Sequence, residues 1–441
     1  MRFSEFINQT VSNRNQIEWN YYEDDLDVNN ILQADNPNNF IRNYFNNGAK
    51  LLPMLINAES ARDCINSYFA AAGKRDALTF DFDEQHRLPN ERAIHTVSAF
   101  FLGLLIENCI TGTNTLHIQG NNHFPFSYLW FLTCLYHDYG YCVTERDNMP
   151  YTLPTTAPKP CKGFPGGNGI HFSEYAALAQ TKRTLGIDLS PFGRCIARSF
   201  AGNTKPTSER AILSKLTSPG RKLSNRNRLR FNTNSVVSSF QYNKATIVRY
   251  FNYCINERNR VDHGIIGGLL FYDRMIKNHM LAYIAAMQEC NSTPPLSDFE
   301  YSDRHFCSEQ PVIFSYIADC ILSHNIFKQQ IDKRELYEAY ELEALYSENF
   351  KKISFEDNPL LYILAVTDSI EPTKIYRCDA SVQSIINAID IEYIPASREI
   401  KISCLSGDID IQKIYSKAKE LEDWTSVDCS VRHNSSFSLR L

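Results

Sequence analysis

Thirteen cysteines are spread through 441 residues without one Cys-x-x-Cys pair or a short framework spacing. In a chain of this length, with an odd count, that predicts reduced thiols rather than a disulfide scaffold. Long apolar runs are also missing. The longest, Ala99 to Ile106, falls far short of the roughly 20 residues a membrane span needs. The opening Met1-Arg-Phe-Ser-Glu-Phe leads into Asn- and Asp-rich sequence and offers no secretory leader. The Gly- and Pro-rich stretch 150–175 lacks the Gly-Lys-Ser/Thr ending of a phosphate-binding P-loop, so it reads as a surface loop. A large charge of one sign is absent too: the formal net charge is −5 and the pI about 6.1, which excludes a global affinity for nucleic acid or membrane. The expectation is a cytoplasmic protein with no membrane partner.

What is present is the composition of a globular protein, 43% apolar and 22% charged. The chain is long enough for two domains, or for one with additions. Residues 1–90 read as an N-terminal region of short helices and polar loops. Strong helical patterns follow at about 91–110, from Pro125 to Asp138, at 174–185, 261–287, 311–327 and 332–347, and from Pro359 to about Ile370. From Ala380 the grammar changes. Residues 382–389 read as helix, Arg398 to Cys404 alternates like a strand, Asp410 to Trp424 is an amphipathic helix, and two further strands close the chain. The expected fold class is therefore mainly α. A helical core spans about 91–376, with an insertion over about 150–260, and a small α+β appendage occupies 377–441. The insertion holds the charge asymmetry: residues 182–260 contain sixteen Lys or Arg and only three acidic residues. Its polybasic centre, Gly220 to Arg230, is either a solvated loop or a surface that attracts a polyanion.

Six chemistry-bearing residues share one property. His95, His137-Asp138, His263, His324 and Asp368 each lie on the apolar stripe of a predicted helix. From His95, for instance, the helical steps reach Ala99, Leu102 and Ile106; before Asp368 they reach Ala365, Leu364 and Leu361. A buried imidazole or carboxylate without a partner costs several kcal/mol, so such groups need a hydrogen bond or a metal. One such histidine is ordinarily a satisfied core residue; five helices presenting His or Asp inward point to a metal. Mixed imidazole and carboxylate donors suit Fe, Mn, Zn and related cations rather than calcium. Gly264, Gly267 and Gly268, each unfavourable inside a helix, predict a close backbone approach beside His263.

The ordered set His95, His137-Asp138, His263, His324, Asp368 resembles the HD superfamily of metal-dependent phosphohydrolases. The phrases Asp262-His-Gly-Ile-Ile-Gly-Gly268 and Ala365-Val-Thr-Asp-Ser-Ile-Glu371 are similar to that superfamily's later motifs. The resemblance covers roughly 90–375 and leaves out the N-terminal region and the tail. It implies an all-helical HD-type core with one or two divalent transition metals (Mn, Fe, Zn, Ni or Co, with Mg at the weaker site). His95, His137, Asp138 and Asp368 would form the first shell, and Asp138 would bridge to a second metal held by His263 and His324. The sequence departs from many relatives at Asn325, where a second histidine is common, and at Tyr141, where a lysine is common. His171 and His305 are the remaining candidates for a missing ligand or proton donor, against a bland surface reading.

The resemblance implies hydrolysis of a nucleotide, cyclic nucleotide or nucleic-acid phosphodiester by a metal-activated hydroxide, with Asp138, His263 and His324 as catalytic residues. Tyr141, Arg274, Arg221, Lys222, Arg226 and Arg228 are the candidate substrate contacts. The expected partner is thus a phosphorylated small molecule or a nucleic acid, and a nuclease would use the basic segment for backbone contacts. Two other classes compete. Di-iron oxygenases of the same superfamily use almost the same ligands, and Asn325 fits their set. A non-catalytic binding module is the third, with the tail and insertion available for homo-oligomer assembly.

Overall fold

A computed structural model describes residues 90–112, 116–119, 124–138, 140–141, 229–232, 236–237, 241–258, parts of 262–272, 310–328, 333–346, 350–433 and 435–441, together with Arg2 and Glu5. The expected N-terminal helices, the 150–175 loop, the 174–185 helix, His171, Arg221, Lys222, Arg226, Arg228, Arg274 and His305 lie outside the described residues. What is described is mainly helical, with two small antiparallel sheets. No helix among the described residues is long and apolar enough to cross a membrane.

The core is built on α1 (Asn90–Thr111) and α2 (Phe126–His137). These two helices pack on each other because both are apolar along most of their length; Leu102, Leu105, Leu129 and Trp130 are wholly buried. The Trp130 indole N–H donates to the Phe100 carbonyl at 2.7 Å, so the large ring is buried without orphaning its one polar atom. Between the two helices lie β1 (His117–Gln119) and β2 (Phe124–Pro125). Pairing outward from β1, strands β3 (Leu229–Phe231) and β4 (Val236–Val237) complete an antiparallel sheet in the order β2-β1-β3-β4. The basic segment therefore returns to the core at its C-terminal end. Leu229 and Phe231 are buried while Arg230 between them is exposed, and α3 (Lys244–Arg258) buries Tyr250, Phe251 and Cys254.

Residues 263–265, 267–268 and 271–272 are helical. A Cβ at Gly268 would stand 2.6 Å from the Ala318 carbonyl oxygen, on α4 (Gln310–Ser323). That is the close backbone approach expected from the glycine-rich turn. The charged segment expected as one helix over 332–347 is broken instead: α5 (Arg334–Ala339) stops where Leu342 N–H turns back to the Tyr337 carbonyl, and Glu341 sits at φ 52°.

Next comes α6 (Pro359–Ile370), started by Pro359 and by the Asn358 side chain, which accepts from Leu361 N–H at 3.2 Å. It packs on α1, α2 and α4. Glu371 ends α6 and caps α7 (Pro372–Tyr376). The remaining chain forms α8 (Val382–Ala388), β5 (Ile389–Ile394), β6 (Glu399–Cys404), α9 (Ile411–Trp424), β7 (Asp428–His433) and β8 (Ser436–Arg440). Its sheet order is β5-β6-β8-β7, all antiparallel. The strand β5, with every second residue buried, begins where only the end of a helix was expected. Along α9, Ile411, Ile414, Ala418, Leu421 and Trp424 form the buried face, and the helix rests against α6.

One buried group in this frame makes stability depend on pH. Glu107 on α1 is buried and accepts from Leu116 N–H at 2.8 Å and from the Thr111 hydroxyl at 3.2 Å. Burial outweighs these bonds and pushes its pKa from the usual 4.5 up to about 7. Between those two values the folded chain holds a proton that the unfolded chain has released, so stability falls as pH rises through the window. E107Q keeps the acceptor oxygen and removes the penalty. At pH 8 it should be more stable than the parent by about 2–3 kcal/mol, with little difference at pH 4.5. Denaturant unfolding of both proteins at the two pH values checks this; a difference that does not change with pH would contradict it.

Candidate metal centre

Four helical segments converge on one point. α1 contributes His95, the end of α2 contributes His137 and Asp138, the glycine-rich turn contributes His263, and α6 contributes Asp368, with His324 immediately after α4. Five of the six are buried below a tenth of their surface: His95, His137, Asp138, His263 and His324. Their donor atoms fall into two groups, each within 4.8 Å: His95, His137 and Asp368 in one, Asp138, His263 and His324 in the other. Asp138 stands between them, its carboxylate oxygens 3.9 Å from His95 Nε2, 3.6 Å from His137 Nε2 and 3.5 Å from His263 Nε2.

Three of the four histidines are aimed from behind. His95 Nδ1 lies 2.8 Å from Glu371 Oε2, His137 Nδ1 lies 2.5 Å from the Cys134 carbonyl, and His324 Nδ1 meets the Ile321 carbonyl. These partners are acceptors, so Nδ1 carries the proton and the Nε2 lone pair of each ring faces the centre. His95 Nε2 and His137 Nε2 are then only 3.1 Å apart, and His95 Nε2 is also 3.1 Å from Asp368 Oδ1. Two imidazole lone pairs and a carboxylate this close repel unless a positive charge lies among them.

Burial and hydrogen bonding decide where that charge goes without a metal. Burial opposes charging His95, but hydrogen bonds to Asp368 and Glu371 outweigh it and raise its pKa to about 9. A proton at His95 Nε2 therefore does what a cation would do. Burial likewise disfavours the charge on Asp368. Lys374, which ion-pairs with it, and the imidazoles of His137 and His95 nonetheless hold its carboxyl well below the usual range. In the second group burial wins: the pKa values of His263 and His324 are both lowered, so the rings are neutral near pH 7. Their Nε2 atoms are buried and make no hydrogen bond. Buried, neutral imidazoles with idle lone pairs beside a carboxylate are the donors that a transition-metal cation takes.

The supporting residues were only partly visible in the sequence. Glu371 received no role there, yet it accepts from His95 Nδ1, from the Ser98 hydroxyl at 2.5 Å, from the Thr373 backbone N–H (3.0 Å) and hydroxyl (2.7 Å), and from Lys374 N–H at 2.9 Å. Burial works against its charge, but hydrogen bonds from His95, Ser98 and Thr373 keep its pKa lowered. The available signal was its position three residues after Asp368 and just before Pro372. Asp262 is a second such residue. Its Oδ1 accepts from Ile265 N–H at 2.9 Å, capping the helix that carries His263, and its Oδ2 accepts from Asn325 Nδ2 at 2.6 Å. Asn325 is thereby tied to Asp262. Tyr141 stacks flat on the His263 ring, centroids 3.9 Å apart. Gly140 lets this happen, since a Cβ there would lie 2.0 Å from the His263 carbonyl oxygen. Arg274 and the four basic candidates at 221–228 cannot be placed relative to the centre, being outside the described residues.

The centre opens on one side into a cleft of ≈ 1070 Å³, and His324 and Asp368 both line it.

Because Glu371 fixes the His95 ring through a buried, fully used carboxylate, E371Q should weaken metal binding about 10–100-fold. The side-chain amide can reproduce only part of its set of accepted bonds. Competition titration against a chelating dye measures this; unchanged affinity in a folded E371Q protein would show that Glu371 only caps α7. Comparison of the chain with family models, curated proteins and solved structures finds no match.

Proposed function

We propose that the chain is a metal-dependent phosphohydrolase of the HD type, acting on a nucleotide, cyclic nucleotide or nucleic-acid phosphodiester. The observation that carries this reading is the pairing of two adjoining donor groups with a cleft rich in cations. Three carboxylates but seven Lys or Arg side chains line the cleft that His324 and Asp368 enter. Divalent cations held by His95, His137, Asp138 and Asp368, and by Asp138, His263 and His324, would supply Lewis acidity and a water of lowered pKa.

The chain's own residues do the positioning. Glu371, the Cys134 carbonyl and the Ile321 carbonyl hold three imidazoles in one tautomer. Asp262 and Asn325 brace the turn of His263, and Tyr141 covers that ring. On the cleft side Lys374, which pairs with Asp368 and lines the cleft, would meet a phosphoryl oxygen, in the part that a lysine at the Tyr141 position plays in many relatives. Asp138 is the carboxylate nearest both donor groups, and it is the residue on which the reading turns.

A second reading has one specific observation in its favour. With Asn325 engaged by Asp262, the donor set among the described residues is His, His-Asp, His, His, Asp, which also suits a di-iron oxygenase. The two readings part in one experiment. D138A should lose hydrolysis of bis(p-nitrophenyl) phosphate by at least 100-fold while its circular dichroism spectrum is retained. Retained hydrolysis in a folded, metal-bearing D138A protein would refute the hydrolase assignment. Oxygen uptake by the iron-loaded parent, with no hydrolysis of any phosphodiester, would favour the oxygenase.

A further inference from the structure

The cleft beside the metal centre has two walls of different origin. One is the helical core: His324, Asp368, Lys374 and Arg377. The other is α9 of the C-terminal α+β unit, which presents Lys413, Ser416 and Lys417 together with Glu420 and Asp423. Two more lysines, Lys328 and Lys333, stand at the core side. The sequence pattern alone assigned no chemistry to the C-terminal unit.

The α9 wall is fixed, not adventitious. Ile353 N–H donates to the Trp424 carbonyl at 2.9 Å and Ser426 N–H donates back to the Ile353 carbonyl at 3.0 Å. The Tyr376 hydroxyl, at the end of α7, donates to the Asp410 carbonyl at 2.8 Å. The apolar face of α9 is spent on the core, so its opposite face is left to the cleft. There Lys413 pairs with Asp379 at 2.7 Å and Lys417 with Glu420 at 2.9 Å. All four side chains are at least two-fifths exposed, and such pairs are weak and exchangeable. An incoming anion can replace the carboxylates. Phe327, half-buried against Trp424 with the rings 5.6 Å apart, adds an apolar surface to the same cleft.

From this geometry we infer that α9 is part of the substrate site. The cleft takes a small ligand carrying several phosphates and a ring, a nucleotide with a polyphosphate chain. One phosphate lies toward His324 and Asp368, and the others run along Lys374 and Arg377 to Lys413 and Lys417. The volume, ≈ 1070 Å³, is at the upper end for small-molecule pockets, which suits a ligand of nucleotide size rather than a single phosphate. The direction of the chain rests on the phosphohydrolase reading; the occupation of the α9 wall does not.

The test is equilibrium binding of inorganic tripolyphosphate and of ATP to the full chain as purified, with the variant K413Q/K417Q and the control K419Q. Lys419 is exposed on the same helix and is not among the residues lining the cleft. The expected result is at least a ten-fold loss of affinity for both ligands in K413Q/K417Q and none in K419Q, with ATP binding the parent more tightly than tripolyphosphate. Equal loss in the control, no loss in the double variant, or no binding of either ligand to the parent would overturn the inference. So would a single-stranded oligonucleotide that binds the parent and is not displaced by ATP. Binding is read apart from turnover. Intact α9-dependent binding with no hydrolysis would therefore count against the hydrolase reading alone.

Discussion

Crowding of buried lone pairs is the constraint on which the rest of the structure depends. His95 Nε2, His137 Nε2 and Asp368 Oδ1 lie within 3.1–3.6 Å of one another inside a helical core. Such an arrangement survives only with positive charge at its centre. In the absence of metal, a proton on His95 and the ammonium of Lys374 supply it. The helices are held at the distances that this cluster demands. α1, α2 and α6 meet at His95, His137 and Asp368, and the glycine-rich turn comes close enough to bring in His263.

Around the cluster, buried polar groups are arranged so that each does two things. Glu371 ends one helix, caps the next and orients His95. Asp262 caps a helix and holds Asn325. Because these groups are saturated, the core carries their charge without orphaned oxygens. Nε2 of His263 and of His324, two of the candidate ligands, are by contrast among the buried side-chain atoms that make no hydrogen bond. Idle imidazole nitrogens beside the Asp138 carboxylate are the physical ground for a cation, whichever chemistry it serves.

Much of the fold and of the candidate donor set was legible because periodicity and punctuation agreed. Asn358-Pro359 starts α6 and Pro372 follows its end, and the apolar stripe leading to Asp368 could be read from Leu361, Leu364 and Ala365. His95 was equally visible through Ala99, Leu102 and Ile106. Glu371 was not, since an acidic residue at a helix end looks like a solvated one until Ser98 and His95 are brought to it by packing. Pairing of Ile118 with Phe231 was hidden by distance along the chain and by strands of three residues. The helix expected to run to Phe327 ends at Ser323, which puts His324 just past the last turn, where its Nδ1 reaches the Ile321 carbonyl. Lys374 shows that a cation can reach the centre from the far end of the motif order when α7 folds back over it.

Divalent metal binding by these six residues is the proposal on which the functional reading rests. Elemental analysis of the protein purified without added metal, alongside the double variant His95→Ala/His263→Ala, tests it most directly. One or two transition-metal ions per chain in the parent, and none in a variant that keeps its helical circular dichroism, is the predicted result. A folded parent that holds no metal, and takes up none on dialysis against manganese, iron or zinc, would contradict it.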